Sequence, residues 1–318
     1  MTASGNEHNI ASGATSGSRD AGPTNWHELG RDQLLRLKDG RALSVRHYGD
    51  ENGLPVAFFH GWPGTRYEAC FGDGPASEAG VHLIGFDRPG FGRSDYKRKH
   101  TFGSWPDDVA EAMTLLGADR FAVVGVSGGG PFALACAARI PKRLFGVGVV
   151  SGGVPHDAPG IPEAFRKNLV IFKIGRYAPF LVRGLLWMMR RKLQKNPDDL
   201  REYLLPRVGA SDKAILERDD VADALRADQL EAYAGGTKGP THEALLLVKP
   251  WDFKPEDIPV EVHVWQGDAD IQVSIESVRW LLTKIRNGVP HFIDGGGHYF
   301  IVDAFPEILA AVTADARK

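Results

Sequence analysis

Three features of the sequence predict an α/β fold with a doubly wound, mostly parallel sheet. Short β-rich runs alternate with helical patterns along most of the chain. Several of these runs are continuously apolar, as expected for strands covered on both faces. One connection of about a hundred residues is helical in its pattern and far exceeds an ordinary crossover, which predicts an inserted helical subdomain.

Seven short runs are predicted to be strands. In chain order they are 43–48 (LSVRHY), 56–60 (VAFFH), 81–87 (VHLIGFD), 121–126 (FAVVGV), 145–151 (FGVGVVS), 260–266 (VEVHVWQ) and 291–295 (HFIDG). Helical patterns occupy residues 106–116, 131–139, 275–286 and 304–313. Because helices separate most of the strands, most neighbours in the sheet are expected to be parallel.

The long connection sets the domain boundaries. Residues 157–250 are predicted to form a helical cap inserted into a core domain made of residues 26–156 and 251–318. Residues 1–25 are rich in Gly, Ser, Ala and Asn, have little apolar surface to bury, and are predicted to be a disordered tail. This tail lacks the basic and apolar regions of a secretory signal, so a cytoplasmic protein is expected.

Composition argues against several classes of protein. The chain has 38 basic and 40 acidic side chains and a net charge of -2, which gives no general preference for nucleic acid. Its two cysteines, Cys70 and Cys136, provide no disulfide framework. Arg183 and Arg190 interrupt the apolar stretches well short of the ~20 residues that a membrane span needs. The segment 183–195 (RGLLWMMRRKLQK) also fits a basic amphipathic helix at a membrane surface, although a helix solvated on one side is the commoner interpretation.

A glycine-rich stretch, 123–132 (VVGVSGGGPF), lies where a predicted strand passes into a predicted helix. Gly128, Gly130 and Ala133 fit the weak dinucleotide pattern GxGxx(G/A). That interpretation requires an acidic residue ~20 positions later, after the next strand, but no acid follows before Asp157. A P-loop requires Gly-Lys followed by Ser or Thr, and no lysine follows these glycines. Neither phosphate-binding pattern is supported.

The same stretch fits a GxSxG nucleophile elbow centred on Ser127. A serine on so sharp a turn leaves no room for side chains two positions away, and glycine at positions 125 and 129 removes that clash. The amide of Gly128 would lie at a helix N-terminus, where it can face a developing oxyanion. Pro131 suits the first helical turn.

A serine hydroxyl becomes an effective nucleophile when a histidine accepts its proton and an acid orients that histidine. In a doubly wound sheet, such groups are expected after the carboxyl ends of later strands. Two segments satisfy this requirement. Residues 267–270 (GDAD) offer Asp268 or Asp270, and residues 295–298 (GGGH) offer His298.

Five motifs taken together resemble the α/β-hydrolase superfamily. They are HGWPGTR, GFDRPGFGRSD, GVSGG, QGDADIQV and GGGHY, in that order, and the resemblance covers about residues 34–318. The resemblance implies an α/β-hydrolase fold with Ser127 as nucleophile, Asp270 as orienting acid and His298 as general base. It favours Asp270 over Asp268, because the acid of this motif usually stands three places after the glycine.

The resemblance also implies where an oxyanion would bind. The backbone amides of Trp62 and Gly128 are expected to donate to it. His60 is expected to fix its loop by a hydrogen bond rather than to act in catalysis. The charged residues of the segment 87–95 are expected to tie a turn together.

These residues imply a serine hydrolase that cleaves a carboxylic ester through an acyl-enzyme, without a cofactor or a metal. Dehalogenases and epoxide hydrolases of this fold carry an aspartate where this chain has Ser127. An aminopeptidase of the proline iminopeptidase type, a C–C hydrolase, a lactonase, an acyltransferase and a non-catalytic receptor remain alternatives. The composition of the cap favours a small, largely apolar substrate, with a pocket formed by Trp62, Trp187, Met188 and Tyr299. The oligomeric state is not indicated.

Overall fold

The computed structural model describes residues 26–197 and 199–318. The predicted tail, residues 1–25, lies outside the described residues. Within the described ranges, one sheet of eight strands forms the centre of the molecule. The strands are β1 (Arg31–Arg36), β2 (Ala42–Gly49), β3 (Leu54–Phe59), β4 (Val81–Phe86), β5 (Phe121–Val126), β6 (Leu144–Val150), β7 (Val262–Gly267) and β8 (Gly288–Ile293).

The sheet order is β1-β2-β4-β3-β5-β6-β7-β8. The pairs β1–β2 and β2–β4 are antiparallel, and the other pairs are parallel. The predicted fold class is therefore confirmed. The sequence RDQLLR of β1 escaped prediction because this edge strand buries only Leu35 and has no apolar run. Strand β8 begins at Gly288, earlier than predicted, and its edge position tolerates Pro290.

Helices cover both faces of the sheet. One face packs against α2 (Trp105–Leu115), α3 (Gly130–Arg139) and α10 (Ile275–Leu282), and the other against α1 (Asp73–Ala79) and α11 (Ile301–Thr313). Adjacent strand residues point to opposite faces. Thus Phe58 joins the apolar cluster of α11, whereas Phe59 joins that of α2 and α3. This arrangement explains why the central strands are apolar at consecutive positions.

Six helices lie between β6 and β7 in the described part of that connection. They are α4 (Glu163–Gly175), α5 (Pro179–Lys195), α6 (Asp199–Leu204), α7 (Ala210–Leu216), α8 (Asp219–Ala232) and α9 (Lys238–Leu246). They share an apolar cluster that includes Phe172, Val182, Leu186 and Tyr233, and Phe91 of the loop after β4 joins it. No helix among the described residues is long and apolar enough to cross a membrane.

A buried ion pair joins α9 to the loops that follow β3 and β4. The Arg88 guanidinium donates to both carboxylate oxygens of Glu243, at 2.6 and 2.9 Å, and both side chains are almost fully buried. Burial raises the pKa of Glu243, but the charge of Arg88 more than offsets this and brings the pKa to about 2. The same guanidinium donates to the carbonyl oxygens of His60 and Gly61, at 2.5 and 3.0 Å. Arg88 therefore fixes three segments at once.

Replacing Glu243 with alanine would leave Arg88 buried without its partner. We expect Glu243→Ala to lower the free energy of unfolding by about 3–5 kcal/mol, measured by urea denaturation. The matched control is Glu51→Ala, because Glu51 pairs with Arg31 at an exposed site and should change stability by about 1 kcal/mol or less. Equal effects of the two substitutions would contradict the structural role assigned to the buried pair.

Candidate active site

Ser127 lies on a tight turn between β5 and α3, with a positive φ of 48°. Two glycines make this turn sterically feasible. A Cβ added to Gly125 would lie 2.4 Å from the carbonyl oxygen of Gly129, and a Cβ added to Gly129 would lie 2.2 Å from the carbonyl oxygen of Phe59. Both contacts are with backbone atoms, which cannot rotate away. Any larger residue would therefore displace β3 or the start of α3.

Ser127, His298 and Asp270 form a hydrogen-bonded chain. His298 Nε2 lies 3.0 Å from Ser127 Oγ, and His298 Nδ1 lies 2.8 Å from Asp270 Oδ2. These residues follow β5, β7 and β8, whose parallel strands end at the same edge of the sheet. The structure thus brings together three residues that are far apart in the sequence.

Asp270 is held in place through both carboxylate oxygens. Its Oδ1 accepts hydrogen bonds from the amides of Gln272 and Val273, at 2.8 and 3.0 Å. Its Oδ2 accepts from Gln266 Nε2 at 3.0 Å, in addition to contacting the histidine. Asp268, the alternative acid, is exposed and accepts from the amide of Gly295 at 2.8 Å. The carboxylate that contacts His298 is therefore that of Asp270.

Burial and charge act in opposite directions on the pKa values of this pair. Burial lowers the pKa of His298, but the Asp270 carboxylate more than offsets this, so the pKa is raised overall. Burial likewise raises the pKa of Asp270, while the charge and hydrogen bond of His298 bring it below the usual value. The arrangement favours an imidazolium beside a carboxylate, which is the charge state that forms when a histidine accepts a proton from serine.

The amides of Trp62 and Gly128 lie close together beside Ser127. A Cβ added to Gly128 would lie 3.1 Å from the backbone nitrogen of Trp62. No acceptor contacts the Trp62 amide among the residues that the structure describes. The Trp62 indole is held separately, because its Nε1 donates to the carbonyl oxygen of Pro240 at 3.0 Å. The loop after β3 thus brings the Trp62 amide next to the turn that carries Ser127 and Gly128.

His60 lies beneath this loop and contacts its backbone. Its Nδ1 donates to the carbonyl oxygen of Gly61 at 2.7 Å, and its Nε2 faces the amide of Arg88 at 3.4 Å. Burial and the neighbouring Arg88 charge hold the pKa of His60 well below its usual value. A neutral, fully bonded imidazole of this kind fixes the loop. The Gly61 amide in turn donates to Glu68 Oε2 at 2.6 Å.

Two cavities meet at Ser127, which lines both together with Trp62. The smaller, about 70 Å³, is also lined by Gly128, Val154, Ile161 and Leu247. The larger, about 530 Å³, extends beneath the inserted helices. Its walls include His298, Tyr299, Glu68, Met189, Leu200, Leu225 and Asp228.

Two residues expected in the pocket lie elsewhere. Trp187 and Met188 are 48% and 57% exposed, and neither lines either of these two cavities. The next residue of α5, Met189, lines the larger cavity instead. Each step along a helix turns the side chain by about 100°, so apolar composition alone does not show which side faces inward.

Asp212, which no sequence motif indicates, connects the inserted helices to the loop that carries His298. The Tyr299 amide donates to Asp212 Oδ1 at 2.8 Å, and Asp212 is fully buried. A Cβ added to Gly297 would lie 2.1 Å from this same oxygen. Gly297 therefore makes room for a carboxylate from α7. The contact joins positions 87 apart in sequence, so no local motif could reveal it.

Removing the charge of Asp270 should lower the pKa of His298. In Asp270→Asn, burial continues to disfavour the imidazolium while the offsetting carboxylate is gone. We expect the pKa of His298 to fall from its raised position to below that of an ordinary histidine, measured by NMR titration of its ring protons. Asp268→Asn is the matched control and should leave the titration unchanged. An unchanged His298 titration in Asp270→Asn would contradict the electrostatic coupling described above.

Comparisons with known proteins agree with this fold. Residues 55–305 match the family model of the alpha/beta hydrolase fold, and the chain therefore belongs to the α/β-hydrolase family. The family resemblance predicted from the motifs is thereby confirmed. The fold and its relatives support a hydrolase, without fixing the bond that it cleaves.

Two curated proteins and one solved structure illustrate the similarity. The chain is 25% identical over 239 residues to the AB hydrolase superfamily protein YisY of Bacillus subtilis, covering 70% of this chain and 84% of that protein. It is 35% identical over 129 residues to a non-heme chloroperoxidase of Streptomyces lividans, covering 38% and 45%. The esterase EaEST from Exiguobacterium antarcticum superposes with a TM-score of 0.65 at 18% identity, covering 90% of this chain and 99% of that one.

Proposed function

We propose that the protein is a serine hydrolase that cleaves a carboxylic ester through an acyl-enzyme intermediate. The observation that carries this proposal is the chain of hydrogen bonds from Ser127 through His298 to Asp270, placed where two cavities meet. Serine, histidine and acid so arranged supply a nucleophile, a proton acceptor and an orienting carboxylate.

The first half of the reaction acylates the enzyme. As Ser127 Oγ attacks the carbonyl carbon, its proton moves to His298 Nε2, and the imidazolium is stabilised by Asp270. The carbonyl oxygen becomes an oxyanion and accepts hydrogen bonds from the amides of Trp62 and Gly128. His298 then gives the proton to the leaving alcohol, the ester bond breaks, and the acyl group stays on Ser127.

The second half releases the acid. A water molecule takes the place of the alcohol, gives a proton to His298 and attacks the acyl carbon. A second oxyanion forms at the amides of Trp62 and Gly128, and its collapse returns the proton to Ser127 Oγ. The carboxylic acid leaves, and the residues regain their starting protonation states.

The two cavities divide the substrate at the ester bond. The cavity of about 70 Å³ accepts a short apolar group, and that of about 530 Å³ accepts the larger group. We assign the role of substrate cap to residues 157–250, because Met189 of α5, Leu200 of α6 and Leu225 of α8 line the larger cavity. A cap of this kind excludes water from the reacting atoms.

Removing the Ser127 hydroxyl should abolish the reaction. We expect the wild type to react with a fluorophosphonate probe and to hydrolyse nitrophenyl esters, and Ser127→Ala to lose both by at least a thousandfold. Ser77→Ala is the control, because Ser77 lies exposed on α1. A wild type that neither reacts with the probe nor hydrolyses any ester would favour a receptor instead. Labelling that persists in Ser127→Ala would show that another residue is the nucleophile.

A further inference from the structure

Two acidic side chains in the wall of the larger cavity have no role in the mechanism above. Glu68 lies in the short 3-10 helix Arg66–Gly72 after β3, and Asp228 lies in α8. Glu68 belongs to the core domain and Asp228 to the inserted helices. The Asp228 side chain is almost fully buried, with 2% of the residue exposed.

The two carboxyl groups lie close to each other and to the nucleophile. A Cβ added to Gly64 would lie 3.2 Å from Asp228 Oδ2 and 3.3 Å from Glu68 Oε2. A Cβ added to Gly61 would lie 3.6 Å from both Glu68 Oε2 and Ser127 Cβ. The acidic pair is therefore a neighbour of the reacting atoms.

Each carboxyl group is held through one oxygen. Asp228 Oδ1 accepts from the amide and the hydroxyl of Thr65, at 2.8 and 2.5 Å, and Glu68 Oε2 accepts from the Gly61 amide. Within the described ranges, no donor contacts Asp228 Oδ2 or Glu68 Oε1, and no Lys or Arg forms an ion pair with either residue. Two positioned acceptors thus remain available at the cavity.

The electrostatic setting favours a positive charge between these groups. Burial raises the pKa of both carboxyl groups, and the proximity of Glu68 raises that of Asp228 further. Carboxylates removed from water are costly unless a cation or a proton accompanies them. A positively charged ligand group would supply the missing partner for the two carboxylates.

We propose that Glu68 and Asp228 form a subsite for a cationic group of the substrate, an ammonium in the simplest case. This assignment rests on the proposed function and narrows its substrate to an amphipathic ester. The apolar walls provided by Met189, Leu225 and Ile271 contact the body of the molecule, and the acidic pair binds its charge. The largely apolar substrate predicted from the composition of the cap thereby gains one positive group.

A pair of isosteric substrates tests the subsite. The nitrophenyl esters of 6-aminohexanoic and heptanoic acid differ only in a terminal ammonium or methyl group. We expect the wild type to prefer the amino ester by roughly tenfold or more in kcat/KM. Glu68→Gln and Asp228→Asn should each reduce this ratio toward one. Glu217→Gln, an equal change of charge at an exposed position of the insert, should preserve it.

The pH dependence gives a second readout that a merely structural role would not produce. The pair binds the ammonium only when it has lost its proton, so the preference for the amino ester should increase with pH in the wild type. The increase should disappear in Glu68→Gln and Asp228→Asn. The other groups near the pair are His298 and Arg88 beside Glu68 and Asp87 beside Asp228, and burial raises the pKa of Cys70 and Tyr299, which also face the pair, so that both stay neutral. Protonation of His298 stops the hydrolysis of both esters alike, and the ratio cancels that effect.

The outcomes separate this inference from the proposed function. Ser127-dependent hydrolysis of both esters without preference for the amino ester would overturn the subsite and leave the hydrolase standing. If neither ester reacts, calorimetry with hexylammonium and hexanol provides the test. Selective binding of hexylammonium that Asp228→Asn abolishes would support the subsite, and its absence in the wild type would overturn it.

The outer surface of α4 and α5 is rich in apolar side chains. Large apolar side chains are exposed throughout this region. The exposed residues are Val170, Ile171, Ile174, Tyr177, Phe180, Leu181, Leu185, Trp187 and Met188. The opposite side of α5 buries Val182, Leu186 and Leu193. Helix α5 is therefore apolar on two sides, of which the apolar core explains only one.

The same segment is strongly basic. Residues 163–195 contain nine Lys and Arg and one acidic residue, Glu163, although the chain as a whole has a net charge of -2. A symmetric contact with a second copy would place this basic surface against itself. An anionic bilayer instead complements both its charge and its apolar side chains.

We infer that α4 and α5 dock on an anionic lipid surface. No described helix is long and apolar enough to span a membrane, so the contact is with the interface. Met189 on the inner side of α5 lines the larger cavity. The helix that docks therefore also contributes a wall of the larger cavity.

Vesicle flotation tests the lipid contact with the full chain. We expect binding to phosphatidylcholine vesicles that contain phosphatidylserine, weakened by salt, and little binding to phosphatidylcholine alone. Phe180→Ser with Leu181→Ser should reduce binding several-fold, whereas Leu115→Ser, at an exposed apolar position of α2, should not. Absence of vesicle binding, or a dimer that Phe180→Ser and Leu181→Ser dissociate, would overturn the inference.

Discussion

The contacts of the Arg88 guanidinium hold the site together. This group is buried and donates to both carboxylate oxygens of Glu243. It also donates to two backbone carbonyl oxygens, and any other side-chain conformation would lose these bonds. Those carbonyls belong to His60 and Gly61, directly before the amide of Trp62. The position of the Trp62 amide thus depends on a charge pair whose other half, Glu243, lies in the inserted helices. The contacts of Arg88 therefore stabilise the fold and also fix the backbone beside Ser127.

The parallel sheet determines which residues meet. Ser127, Asp270 and His298 each follow a strand whose carboxyl end lies at one edge of the sheet. Their hydrogen bonds need only short loops, and those loops are fixed by glycines and by backbone amides. The inserted helices then close this edge and add acidic groups from outside the sheet. The sheet places Ser127, whereas the inserted helices form part of the wall of the larger cavity beside it.

Local sequence patterns predicted the features that local sterics control. Continuous apolar runs identified the central strands, and the spacing of glycines around Ser127 indicated a turn that the backbone geometry requires. Strand β1 was not predicted, because an edge strand needs no apolar run. The pairing of Glu68 with Asp228 was not predicted for a different reason. Their proximity results from packing between segments about 160 residues apart. The hydrophobic periodicity of a sequence does not indicate a contact of this kind.

The inserted helices differ in how they contact the core domain: some form hydrogen bonds to it, and α5 packs through apolar side chains. Asp212 of α7 holds the Tyr299 amide, Asp228 of α8 holds Thr65, and Glu243 of α9 holds Arg88. Helix α5, in the part of the chain that the structure describes, makes no hydrogen bond to the core domain and packs through apolar side chains. Displacing α5 would therefore break no polar contact with the core domain, whereas displacing α7, α8 or α9 would remove hydrogen bonds from the loops that carry Tyr299, Thr65 and Arg88. Of these four helices, α5 is thus the one whose position costs the fewest polar contacts to change.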